Sequence, residues 1–336
     1  MATSRADRAF QAWESLSRAC LRPGDHGSLV VRNRPGRRSL APVWPVSQVL
    51  AAAIDLAELT GAYDDVERLV VGLRPYAAGD GYLPAPGDRR RYYDDNGWIG
   101  LCFAQVHLQT GEARWLRRAR KVFRFVREGQ DPDGGMRWVE RRRARHTCSA
   151  APAAQLALRL HLADHDDETL AFARRTLAWL DRTLRVRAGL YADHVDARGR
   201  VTGTLWTYNQ GAPVGAHLLL HQAAGDEVAL RQAVATAESS LRRFGADRTW
   251  RHPPAFNAVW FRNLLALDAG GQRPPGLVRA LDDYLSRAWR EGRDDAGLFT
   301  SGGIGSYDGT PAIDAGAIAQ LLALRAWPRN RRPLIC

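Results

Sequence analysis

"NQGAPVGAHLLLHQAAGDEVALRQAVATAESSLRRF", residues 209–244, joins two unlike halves. From Asn209 to Ala224 most of the helical circumference is apolar or small, the mark of a helix with protein on all sides. After the turn QAAGDEV the apolar residues return at helical spacing while arginines and acids take the rest, as in a helix with one wet face. So short a link suits an antiparallel pair. The stretch therefore predicts an inner helix, a tight turn and an outer helix.

The same two kinds of segment recur along the chain. The other inner ones are WPVSQVLAAAIDLAEL from Trp44, NGWIGLCFAQVHLQ from Asn96, CSAAPAAQLALRLHLA from Cys148, FNAVWFRNLLALD from Phe256 and IDAGAIAQLLALRAW from Ile313. The other outer ones are RAFQAWESLSRAC, YDDVERLVVGLRPYA, EARWLRRARKVFRFVRE, DETLAFARRTLAWLDRTL and GLVRALDDYLSRAWRE. Short turns such as LTGAYDD, QTGEARW, LADHDDE and DAGGQRP close inner segments, and longer loops rich in glycine and aromatics lead back in. Pro45, Pro152, Pro213 and Pro311 fall near inner-segment starts, where a first-turn N–H is unpaired anyway. Twelve helices alternating outer and inner predict an all-α fold, an (α/α)6 toroid of six helical hairpins, as a single domain over residues 1–336. Strand signals are scarce; GLYADHVDARGRVTGTLW (189–206) can form a hairpin among the long loops.

The 336 residues carry a formal charge of +12, and Lys121 is the only lysine. That excess suits an anionic ligand, or arginines spread over solvated helix faces. Without a nucleic-acid-binding motif, no nucleic-acid partner is expected. No uncharged apolar run reaches the ~18 residues of a membrane span, and the N-terminus lacks a secretory apolar core, so the expected location is cytoplasmic. Cys20, Cys102, Cys148 and Cys336 are scattered without zinc or redox spacing and read as reduced thiols.

In such a toroid the N-termini of the inner helices open into one crater. RRRYYDDNGW (89–98) brings Asp94, Asp95 and Asn96 to the second mouth, flanked by Tyr92, Tyr93 and Trp98, and Asn96 and these three rings are candidate substrate-binding residues. One aspartate would satisfy helix capping or the dipole. A second, repelled by the first, fits glycosidic cleavage by a nucleophile and an acid/base, in which repulsion and burial keep one group protonated. Neighbouring Cα atoms lie ~3.8 Å apart, closer to the ~5–5.5 Å carboxyl gap of a retaining pair than to the inverting one. Trp138, after the flexible pair Gly134–Gly135, either stacks on a sugar or packs beneath its loop. Trp206 and Tyr208 are candidate sugar platforms, and Asn209 and Gln210 either bond sugar hydroxyls or cap the fourth inner helix. Asp193 and His194 lie in the long loop as a subsite or a solvated turn; Arg141 to Arg145 form a solvated face or meet an acidic glycan. His107, His161, His217 and His221 are read as core or seam residues.

YYDDNGW, then TGEARWLRRA, DPDGGMRW and WTYNQGAPVGAHLLL, in that order over about residues 40–325, resemble glycoside hydrolase family 76, the endo-α-1,6-mannanases and relatives. The resemblance implies an (α/α)6 barrel, hydrolysis with retention, no metal or organic cofactor, and an α-mannan-like oligo- or polysaccharide as partner. Carried over by motif, Asp94 is the nucleophile and Asp95 the acid/base. The chain departs from the family pattern in AFNAVWFRNLL, with Asn257 where many members have lysine, and in RARHTCSAAP, which lacks the usual asparagines.

Two other functions remain open at this stage. A sugar isomerase or epimerase on the same toroid would use histidine bases, for which His146, His194 and His252 are the mouth-loop candidates. A non-catalytic glycan-binding protein would keep the crater alone.

Overall fold

The computed structural model describes residues 4–300 and 309–335. The inner helices are α2 (Val43–Thr60), α4 (Tyr93–Thr110), α6 (Thr147–Asp164), α8 (Tyr208–Ala224), α10 (Pro254–Ala269) and α12 (Pro311–Ala326). Each packs on the next, and α12 packs on α2, which closes the ring. Around them lie α1 (Arg5–Cys20), α3 (Asp64–Val71), α5 (Ala113–Arg127), α7 (Asp167–Thr183), α9 (Glu227–Phe244) and α11 (Leu277–Glu291). The expected all-α toroid is what forms. Among the described residues no helix is long and apolar enough to cross a membrane.

Small residues let the inner ring close tightly. In α6, Ala150, Ala151, Ala153, Ala154 and Ala157 are fully buried. A methyl group on Gly211 of α8 would strike the Trp260 backbone of α10 and sit 2.9 Å from the Val259 carbonyl. Helices whose backbones approach that closely tolerate no added carbon without shifting.

Inner helices α2, α4, α6 and α8 end on a left-handed residue: Gly61, Gly111, His165 and Gly225. Such a residue turns the chain at once into the outer helix. The long loops gather at the opposite end, where Arg145–His146, His194–Val195 and Val201–Thr202 form a three-stranded antiparallel sheet. The 189–206 hairpin is thus present, and it gains a strand from the loop before α6.

Two local expectations need correction. Pro152 and Pro213 are the sixth residues of α6 and α8, inside the helix rather than in its first turn. Each lacks the N–H that would bond back to the fourth preceding carbonyl, that of Cys148 or Asn209. YDDVERLVVGLRPYA is not one helix: α3 stops at Val71, and a 3-10 turn follows at Arg74–Tyr76. Gly72 abuts the Leu29 backbone there, and Pro75 cannot continue an α-helix. Of the four cysteines, Cys20, Cys102 and Cys148 are free and buried, while Cys336 lies outside the described residues.

Candidate active site

The second residues of α4, α6 and α8 are Asp94, Cys148 and Asn209. Equivalent places in three successive repeats put them around one mouth. Neither aspartate is a helix cap, because Tyr92 holds that position. Asp94 Oδ2 accepts from Trp138 Nε1 at 3.0 Å and from Cys148 Sγ at 3.4 Å. Tyr208 hydrogen-bonds Cys148 in turn. Asp94 Oδ1 is buried and has no partner. No described residue hydrogen-bonds the Asp95 carboxyl. Both residues are half-buried. One acid is anchored and its neighbour is free.

Burial raises the Asp94 carboxyl to about 6, against the opposing pull of the Trp138 and Cys148 hydrogen bonds. Burial, and then the charge on Asp94, hold Asp95 well above the ordinary carboxylate range. Hydrogen bonds to a carboxylate favour its charged form, so Asp94 is the member better suited to ionise first. Burial likewise keeps the Cys148 thiol and the Tyr208 phenol protonated as donors.

A wall of rings rises from Asp94. Tyr92 meets Trp138 edge-on at 5.0 Å, Trp138 stacks on His146 at 4.8 Å, and His146 stacks on His194 at 4.4 Å. Asp193 ends the wall, bonded to His194 Nδ1 at 2.9 Å and to Asn209 Nδ2 at 2.9 Å. Trp138, 37% exposed, is therefore no packing residue under its loop. Gly134, at φ +95°, makes the turn before it, where a Cβ would collide with the Arg175 carbonyl.

Several candidates serve the scaffold instead. Asn96 is fully buried: its Oδ1 accepts from the Tyr82 N–H at 2.7 Å, and its Nδ2 donates to the Tyr82 and Tyr92 carbonyls. Gln210, also fully buried, repeats this with the Tyr191 N–H and carbonyl and the Trp206 carbonyl. Both amides clip a mouth loop to an inner helix and have nothing left for a sugar. Asn257 does similar work, donating to the Thr249 and His252 carbonyls. Tyr93 stacks on Phe125 of α5, at 4.9 Å, away from the pair. Trp98, 8% exposed, leans on Trp44 and borders a cavity along the ring axis near the buried Asp55–Arg262 ion pair. Tyr208 has one face covered by Phe256 at 3.9 Å and stands behind Cys148 rather than as a platform. Trp206 packs edge-on against Phe256 and His252.

Arg145 binds Asp133 and lies over Trp179, while Arg141, Arg142 and Arg143 form an exposed tip. His146, Asp193 and His194 bring ligand-type atoms within 4.8 Å of one another. As a metal site the trio fits poorly, because His194 already engages both ring nitrogens, with Asp193 and with Thr202 at 3.2 Å. Cys148 was missed by residue type, and only the repeat register, aligning it with Asp94 and Asn209, points to it.

An anchored acid beside a free, more basic one, within an aromatic wall, can attack and protonate at one acetal, and this places the protein among the glycoside hydrolases. The chain belongs to glycosyl hydrolase family 76, whose model matches residues 26–254. A family 76 mannosidase from Bacteroides thetaiotaomicron superposes with a TM-score of 0.83 at 22% identity, covering 96% of this chain and 98% of that one. An α-1,6-mannanase of Salegentibacter, an inactive variant with two consecutive aspartates changed to asparagine and α-1,6-mannotriose bound, gives 0.75 at 20% identity, covering 95% and 98%. A D-mannose isomerase gives 0.71 at 9% identity, covering 95% and 97%, so the bare toroid is shared more widely than the chemistry. No curated protein matches the chain in sequence.

Proposed function

We propose that the protein hydrolyses α-1,6-linked mannose chains or oligosaccharides with retention of anomeric configuration. The carrying observation is the asymmetry of the pair: Asp94 is fixed through Oδ2 with Oδ1 unpartnered, and Asp95 is unbonded and raised. Asp95 donates its proton to the glycosidic oxygen as the Asp94 carboxylate attacks the anomeric carbon, and the leaving sugar departs. Asp95, now a carboxylate, takes a proton from water, whose oxygen displaces Asp94 from the sugar. The bound mannotriose and the paired substitutions in the Salegentibacter relative support both the substrate class and the choice of acids.

Incubation with linkage-defined mannosides, with the first-formed anomer followed by NMR, tests this reading. The α-anomer from α-1,6-mannooligosaccharides is the expected product; the β-anomer, or no cleavage of any mannoside, overturns it.

A further inference from the structure

In the ring wall beside Asp94, Trp138 gives its single N–H to Asp94. His194 engages both nitrogens with Asp193 and Thr202. His146, between them, differs. Indole covers one face at 4.8 Å and 25° between planes; imidazole covers the other at 4.4 Å and 7°. Although it is the N-cap residue of α6, its side chain caps nothing, and among the described residues neither ring nitrogen has a hydrogen-bond partner. The nitrogens are not sealed off from solvent, since neither is among the fully buried orphan atoms.

A ring clamped on both faces can meet a ligand only at its edge. Burial, and then the neighbouring His194, push the His146 imidazole down to about 4, so near neutrality the edge carries one donor and one acceptor. A sugar hydroxyl offers the same two functions in return. A carboxylate or phosphate would waste the acceptor, and an apolar group would leave both unpaired.

We infer that His146 is a specificity-determining residue whose imidazole edge hydrogen-bonds a ring hydroxyl of the sugar attacked by Asp94. This rests on the hydrolase reading for its site and adds the group that reads the sugar there. Clamping the ring in advance removes the rotamer entropy that a mobile side chain would lose on binding.

The experiment compares wild type, His146→Phe and His146→Gln on an aryl α-1,6-mannobioside and on its 2-, 3- and 4-deoxy analogues in the sugar bearing the aryl group. His146→Phe keeps a stacking ring but loses the polar edge, and is expected to lower kcat/KM about three- to tenfold, the worth of one neutral hydrogen bond. His146→Gln, which restores a donor and an acceptor, is expected to recover most of that loss. A purely structural stacking role predicts the reverse order. On one deoxy analogue the wild type and His146→Phe are expected to converge, because the hydroxyl and its partner form a closed cycle. Wild-type rates for His146→Phe, glutamine no better than phenylalanine, or an undiminished deficit on all three analogues overturn the inference. Should His146→Phe fold poorly, His146→Leu takes its place. If the wild type cleaves no mannoside, the hydrolase reading fails by itself. Calorimetric titration with α-1,6-mannotriose then decides His146: three- to tenfold weaker binding by His146→Phe supports the assignment, and equal affinity overturns it.

Discussion

Trp138 holds Asp94 from a loop 44 residues further along the chain, its indole N–H donating to Oδ2 across 3.0 Å. The bond fixes which oxygen of the acid stays free. Trp138→Phe keeps the ring and removes the donor. A hydrogen bond to a charged acceptor is worth roughly 1.5–3 kcal/mol, so kcat/KM is expected to fall about 10- to 100-fold. The acid limb of the pH profile is expected to move upward, because the charged form of Asp94 loses a donor. An unchanged limb would show that the bond does not set the state of the acid.

The pair itself sets a bell-shaped pH dependence. Activity is expected to fall below about pH 6, where Asp94 takes up a proton, and again at higher pH, where Asp95 loses its own. Rates on one mannooligosaccharide from pH 4 to 9 check both limbs.

Both folded-state values lie above the unfolded ones. The folded protein therefore binds extra protons, and the stability this confers is present near pH 4; the Asp94 share is lost as pH rises through about 6 and the Asp95 share at higher pH. Asp94→Asn and Asp95→Asn are thus expected to abolish hydrolysis while stabilising the fold at pH 7.5, for Asp94→Asn by on the order of 1–3 kcal/mol. The gain should vanish toward pH 4. Denaturant melts at both pH values measure it, and a pH-independent gain would contradict the linkage.

Cys148 joins Tyr208 to Asp94. Cys148→Ser keeps a donor in nearly the same volume, whereas Cys148→Ala leaves Oδ2 with Trp138 alone. Serine is expected to retain most activity, and alanine to lose about three- to tenfold, as for a single weak donor. Equal rates for the two variants would make the thiol mere packing.

Along the ring axis, Asp55 is fully buried and paired with Arg262. Removing one charge strands the other, so Asp55→Ala is expected to cost about 3–5 kcal/mol of stability. Chemical denaturation of the variant reads this directly.

The fold was legible because each hairpin repeats two hydropathy patterns, as in 209–244, and because six of them invite closure. Helix ends were less so: α3 stops where Gly72 meets the Leu29 backbone, a contact made by chain distant in sequence. In the site, adjacency marked Asp94 and Asp95. Asn96 and Gln210 looked the same as sugar-binding amides because a peptide group and a hydroxyl ask the same hydrogen bonds of them; only burial separates the two uses. His146 and His194, 48 residues apart, meet through strand pairing that short, weakly patterned loops do not announce.

The clips made by Asn96 and Gln210 fasten each loop separately to its own helix. Chain length between a clip and the rim can therefore change without disturbing the acids at the floor. Such a mouth can be retailored one loop at a time, so homologous enzymes are free to diverge in the glycans they accept while the cleaving machinery stays where it is.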